Sequence, residues 1–287
     1  MAKQKEPKIP YEADVFHIFG AKKFDTNAFW GRVSKRLEET GYAPNLLIST
    51  FDPSDGFLAH YDILLKGESS QGIQLHQMDD YSLHLELPWL ASWGDADLAF
   101  AIMQALDEKY THLEVFLNNN TDEPIALVDE NLETLMSKRA ENMAALLEFN
   151  FENDTALGVP GARREYILDS LDPKASDEEW EEAVSNAFQN FIAVQWLFEN
   201  CITAEPANAD TPDDEILALT NEFDTFVPCC QKLSLTTSDG KCTKLVEIAD
   251  FCKAMETSKY FVPIDRMQFM LRQMPMREWD RMIKEMK

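Results

Sequence analysis

Residues 57–87 constrain the fold of this chain more than any other stretch. They hold three apolar-rich runs, Phe57–Leu65, Gly72–Gln77 and Tyr81–Leu87, separated only by Lys66–Ser70 and Met78–Asp80. Gaps of that length close antiparallel hairpins, because a parallel pair needs a crossover of about a dozen residues or more. The third run alternates without a break. Tyr81, Leu83, Leu85 and Leu87 fall on one side, and Ser82, His84 and Glu86 fall on the other. A period of two with one apolar set marks a strand with one wet face.

The flanking segments extend this pattern. Asp14–Phe19 alternates as a strand, and Asn45–Thr50 reads as a buried one. Thr26 or Asn27 can cap a helix that runs to Thr40, with Phe29, Val33 and Leu37 on one face and Gly41 as its stop. Ser92-x-x-Asp95 is a capping box with Asp in place of Glu or Gln, and the helix behind it turns Leu98, Ile102, Ala105 and Leu106 inward. His112–Leu117 and Pro124–Val128 read as strands, and Asn131–Glu148 reads as a helix. The expected fold class is α+β. Residues 1–155 form an antiparallel-sheet domain with flanking helices.

Gly158-Val-Pro-Gly161 reads as a domain boundary. Residues 160–287 are then expected to be a mostly helical domain with one small hairpin. Ser176–Glu179 opens a helix that runs to about Asn200 and buries Trp180, Phe188 and Phe191. Further helices are expected at Glu215–Phe226, Glu247–Glu256, Asp265–Gln273 and Met276–Met286. Asp239-Gly240 supplies the positive φ that a hairpin turn needs.

Charge limits the classes of partner. The chain carries 51 Asp+Glu against 26 Lys+Arg, a formal charge of −25. Such a molecule is repelled by the nucleic-acid backbone and by anionic lipid, so neither nucleic acid nor membrane is an expected partner. A basic protein is. The short polar start, Met1–Pro10, leads into no apolar stretch of signal-peptide kind, and no apolar run approaches the length of a membrane span. The expected compartment is the cytoplasm. Five cysteines, all between Cys201 and Cys252, are an odd and clustered set, unlike a secreted disulfide framework. Cys229, Cys230, Cys242 and Cys252 lack zinc-knuckle spacing and read as inert thiols, so neither a metal nor a cofactor is expected.

No nucleophile elbow, phosphate loop or dinucleotide fingerprint is present. The five histidines, His17, His60, His76, His84 and His112, all fall on predicted strands or their edges. His76 and His84 can be neighbours across a hairpin. With Glu86 or Asp79 they could bind a metal or exchange protons, but the wet face of a sheet also takes histidine simply as a polar residue. Trp89, Trp93 and Asp95, beside the best strand and helix, are the candidate rim for a cationic partner. The acidic cluster Asp177, Glu178 and Glu181 is a second candidate surface.

The expected function is an acidic, cytoplasmic, non-enzymatic binding protein, such as a bacterial immunity or inhibitor protein that neutralises a basic partner. Two alternatives stand beside it. One is a scaffold or oligomeric component. The other is an enzyme that uses dispersed carboxylates and the strand histidines.

Overall fold

Hairpin pairing sets the first sheet. The computed structural model describes residues 12–21, 26–42, 45–51, 57–110, 112–118, 120, 122–196, 201–207, 216–264 and 268–286. The chain forms two compact units, Met1–Trp196 and Leu197–Lys287.

In the first unit the elements run β1 (Asp14–Phe19), α1 (Thr26–Glu39), β2 (Leu46–Phe51), β3 (Phe57–Leu65), β4 (Ile73–Met78), β5 (Leu83–Leu87), α2 (Trp93–Asp107), β6 (Glu114–Leu117), α3 (Asp129–Asn153), β7 (Gly158–Val159), β8 (Tyr166–Ile167) and α4 (Asp177–Trp196). Six strands make one sheet in the order β2-β3-β4-β5-β1-β6, and every neighbouring pair is antiparallel. Leu83, Leu85 and Leu87 are fully buried, whereas His84 and Glu86 between them are not. Tyr81 instead lies in the preceding turn at φ 67° and is half exposed. The buried face, including Phe16, Ile18, Ile63 and Leu75, packs with Phe29, Val33 and Leu37 of α1 and with the apolar side of α2. Pro124–Val128, expected as a strand, is an irregular segment tied to β6 by the Ile125 N–H donating to the Val115 carbonyl at 2.7 Å.

Two buried polar nodes hold this unit. The first is Asp95 in the opening turn of α2, which is wholly buried. Its carboxylate accepts the backbone N–H groups of Ser70 (3.0 Å), Gln71 (3.2 Å), Gly72 (3.0 Å) and Ser92 (3.0 Å). One side chain therefore both caps α2 and shapes the β3–β4 turn. Gly72 is required there, because φ is +76° and a Cβ would collide with the Leu64 side chain. The second node is Asp14, which meets Arg139 at 3.1 Å and Lys138 at 2.9 Å and accepts from Asn118 Nδ2 at 3.0 Å. Arg139 also donates to the carbonyls of Leu87, Pro88 and Leu135. This ties α3 to the ends of β1 and β5.

The glycine-rich stretch expected as a boundary lies inside the first unit. Val159 pairs with Tyr166, and the Ala162 N–H donates to the Ser70 carbonyl at 3.0 Å. The α4 end is fastened as well. Gln195 Oε1 accepts from the N–H groups of Arg163 and Arg164, and Trp196 Nε1 donates to the Ser69 carbonyl at 2.7 Å. On α4, Phe191 is buried against Tyr166, while Trp180 and Phe188 are only half-buried, contrary to expectation.

The second unit overturns the expectation of a helical C-terminal half. It contains β9 (Ile202–Thr203), β10 (Glu205–Pro206), β11 (Ile216–Leu219), β12 (Thr225–Val227), β13 (Lys232–Thr236), β14 (Thr243–Glu247), α5 (Ile248–Met255), β15 (Phe261–Pro263), β16 (Phe269–Leu271) and α6 (Met276–Glu285). They form sheets β10-β11-β13-β14 and β15-β16-β12-β9. The stretch expected as a helix at Glu215–Phe226 is two short strands over its described part. Asn221 turns the chain between them and donates to the Met274 carbonyl. The one expected at Asp265–Gln273 contains β16, and its first residues, 265–267, lie outside the described ones. Apolar runs of three or four residues fit either period, and pairing with β13 and β12 decides them. The hairpin expected at Asp239-Gly240 is present, with Gly240 at φ +69°. Trp279 of α6 is buried and donates from Nε1 to the Thr236 carbonyl at 2.9 Å.

Burial alone would raise the Asp14 carboxyl. Hydrogen bonds from Asn118 and Lys138 and the charges of Arg139 and Lys138 outweigh burial and hold it below the ordinary aspartate value. Its stabilisation is therefore complete above that ordinary value and is lost as pH falls through the lower folded value. Arg139→Met removes the buried one of the two cations that meet this carboxylate and leaves three carbonyls without their donor. Urea unfolding should show a loss of about 3–5 kcal/mol near neutral pH. Acid unfolding of the variant should begin at higher pH than in the wild type.

Candidate functional site

The outer face of the six-stranded sheet carries the densest chemistry. Its register is set locally at the β4–β5 hairpin. Asp80 Oδ1 accepts from the Ser82 N–H at 2.9 Å and from the Ser82 hydroxyl at 2.6 Å, and Met78 and Ser82 close the turn. That turn places His76 opposite His84. The neighbouring pairings place His60 opposite His76 and His17 opposite His84. Four imidazoles thus stand in one row across β3, β4, β5 and β1. His60 and His76 meet edge to face with ring centroids 4.4 Å apart, and His17 and His84 do the same at 4.4 Å. In β6, Phe116 continues the row opposite His17.

A second row runs beside the first: Asp62 opposite Gln74, Gln74 opposite Glu86, and Glu86 opposite Val15. The rows touch. His60 Nε2 is 3.1 Å from Asp62 Oδ1, and His76 Nε2 is 3.6 Å from Glu86 Oε1. Gln74 donates to Asp62 Oδ1 at 3.1 Å. Apolar side chains frame the polar rows. Phe19 meets Phe116 with centroids 5.9 Å apart, and Phe19 and Leu47 are exposed.

Burial pushes the His76 imidazole below its ordinary value, and the nearby His60 adds to this, although Glu86 and Asp62 pull the other way. Burial does the same to His84, helped by the charges of His17 and His76 and opposed by Asp80 and Glu86. Like charges directly opposite on a sheet repel, so a row this close cannot take up a full set of protons at neutral pH.

The other candidates fall elsewhere. Asp95 is sealed in its capping network and cannot meet a partner. Trp89 is buried, whereas Trp93 is 52% exposed. Asp177, Glu178 and Glu181 lie exposed in the opening turns of α4. Among the described residues no hydrogen bond or ring contact joins them to Trp93. His112 lies exposed at φ 71°, away from the row. Among the described residues no group of three or more His, Cys, Asp or Glu is placed to hold a metal ion. Burial, with Cys229 and Cys252 nearby, pushes the Cys230 thiol up to about 12.

His76 and His84 as neighbours follow from the sequence. His17 and His60 as their companions do not. The available signal was a histidine at a central outward position of each of four alternating strands. Two clefts are lined by residues outside these two rows. One of about 530 Å³ is lined by Arg36, Glu108, Leu113, Val115, Ile125 and Leu127, and there Arg36 is paired with Glu108. Another of about 270 Å³, in the second unit, is lined by Met255, Met274, Met282 and Met286. Comparisons with protein-family models, curated proteins and solved structures find no match to the chain. Among the described residues no helix is long and apolar enough to cross a membrane.

Two measurements follow. Alkylation of the native protein at neutral pH, read by peptide mass, should label exposed Cys229 well before Cys230, which should react only on unfolding. For the histidines the sign is set by their lowered folded values. The unfolded chain binds protons first, so stability is greatest above about pH 6.5 and falls as pH drops from there toward the folded values. Urea midpoints measured across that range should show this decline, and His76→Gln with His84→Gln should flatten it.

Proposed function

We propose that this chain is a non-enzymatic acidic binding protein, of the immunity or inhibitor kind, whose outer sheet face docks a basic and amphipathic protein segment. One observation carries the reading. Among the described strand residues of that face there is no Lys or Arg. Asp62, Glu86 and Glu114 stand there beside exposed Phe19 and Leu47. Lys66 lies beyond the end of β3, in the turn. A patch of mixed aromatic, aliphatic and carboxylate character matches a partner that alternates cationic and apolar side chains. The net charge of −25 supports the same choice, since it steers cationic molecules toward the chain over long range. A cytoplasmic setting fits this reading.

The enzyme reading has one observation of its own, the contact of His60 with Asp62 and of His76 with Glu86. A histidine held by a carboxylate can act as a base. Neither pair lines either of the two clefts, and Asp62 and Glu86 are partly exposed on the outward face, a setting that fits recognition better than water-excluded chemistry.

The probe is a synthetic peptide of alternating lysine and leucine. It should bind the wild type, with association that slows steeply as salt rises and dissociation that changes less. Phe19→Lys with Leu47→Lys places two cations on the face at exposed positions and should weaken binding by about tenfold or more without unfolding the chain. Reversing Asp177, Glu178 and Glu181 to Lys should slow association by only about twofold to threefold. If the α4 reversal abolishes binding while the face variant binds as wild type, the docking surface is α4 and this reading is wrong.

A further inference from the structure

The histidine row is partly sheltered: His76 is buried, and His17, His60 and His84 are half-buried. Four of the five histidines of the chain share one register line across four strands, and among the described residues of that face they are the groups whose ordinary value lies between neutral and mildly acidic pH. We propose that the row is a protonation gate on the docking face. It accepts a cationic partner when neutral and expels it when protonated. This rests on the reading of that face as a docking surface for a basic segment.

Two effects act in the same direction. A proton on the row places positive charge where the partner brings its own, in rings packed 4.4 Å apart in pairs. It also takes the face's carboxylates out of play. Protonated His60 pairs with Asp62 at 3.1 Å, and protonated His76 lies 3.6 Å from Glu86. The carboxylates that would meet the partner's lysines then face a cation within the sheet instead of a neutral ring. Among the described residues, the charged and titratable groups facing the row are Asp62 from β3, Glu86 from β5, Asp80 from the β4–β5 turn and Glu114 from β6. β1, β2 and β4 contribute no charge besides the histidines of the row. Each proton taken up by the row therefore cancels one of the four carboxylate charges, and the face loses the negative charge that attracts a cation. Lysines on the partner keep their charge over the same range.

The same lysine–leucine peptide tests the gate, with affinities measured at about pH 7.5 and about pH 5.5. Three proteins are compared: the wild type, His17→Gln with His84→Gln, and His60→Gln with His76→Gln. Either double variant suffices if the other fails to fold. Wild-type binding should weaken by about tenfold or more on acidification, and in each double variant the ratio of its own affinities at the two pH values should lose a large part of that change. His112 stays in every variant as the histidine off the row. Wild-type affinity that is unchanged at the lower pH, or that weakens equally in the variants, overturns the gate and leaves the docking reading intact. No binding at the higher pH overturns the docking reading, and the gate with it.

Discussion

A one-residue slip of β5 against its neighbours would carry Leu83, Leu85 and Leu87 into water and turn His84 and Glu86 into the core. Each leucine moved costs about 2 kcal/mol of burial, and the carboxylate and imidazole taken inside would cost more. Register is thus fixed by the buried face. The outer face inherits it. Because β4, β5, β1 and β3 are all locked in this way, a histidine at one outward position of each becomes a line of four. No contact among the imidazoles is needed to assemble it. Their mutual repulsion on protonation is borne by the leucine, isoleucine and phenylalanine packing beneath.

The sheet in turn depends on two buried carboxylates in different roles. Asp95 replaces water for four backbone N–H groups at a point where a helix start and a strand turn would otherwise leave donors unmet. Asp14 neutralises Arg139, the largest charged side chain in the core, which spends its remaining donors on three carbonyls. A buried ion pair of this kind adds little net stability over an apolar substitute, but losing one partner strands the other. Its effect here is positional: α3 can sit only where the ends of β1 and β5 present these groups.

Local signals in the sequence revealed part of this. The alternation of 81–87 gave β5 and its wet face, and the short turn before it made His76 and His84 neighbours. His17 joins them through β1, which pairs with β5 across more than sixty intervening residues. His60 depends on a β3–β4 register that the Asp95-held turn sets, unbroken from Ile63 to Ala59. The β1–β5 pairing leaves no local trace, and the β3–β4 hairpin shows its turn in the sequence but not its register. The capping box at Ser92 was readable, yet the burial of Asp95 was not, since the donors that seal it come from residues 70–72. Likewise Gly158–Gly161 has the composition of a linker, but its strand pairs with Tyr166 and Ile167 and its Pro160 carbonyl accepts from Gln71. In the second unit, Ile216–Leu219 and Phe269–Leu271 are too short for period to separate helix from strand. Their strand partners decide the matter.

The central claim is that the four imidazoles act on one another as a row. Side-chain NMR of the histidine Cε1–H groups, followed through a pH titration, measures this without any partner. His76 and His84 should titrate below the ordinary histidine value. His60→Gln should move His76 upward, and His17→Gln should move His84 upward, because each substitution removes a neighbouring positive charge. If His76 and His84 titrate at the ordinary value and ignore both substitutions, the histidines are independent surface residues and the account of this face fails.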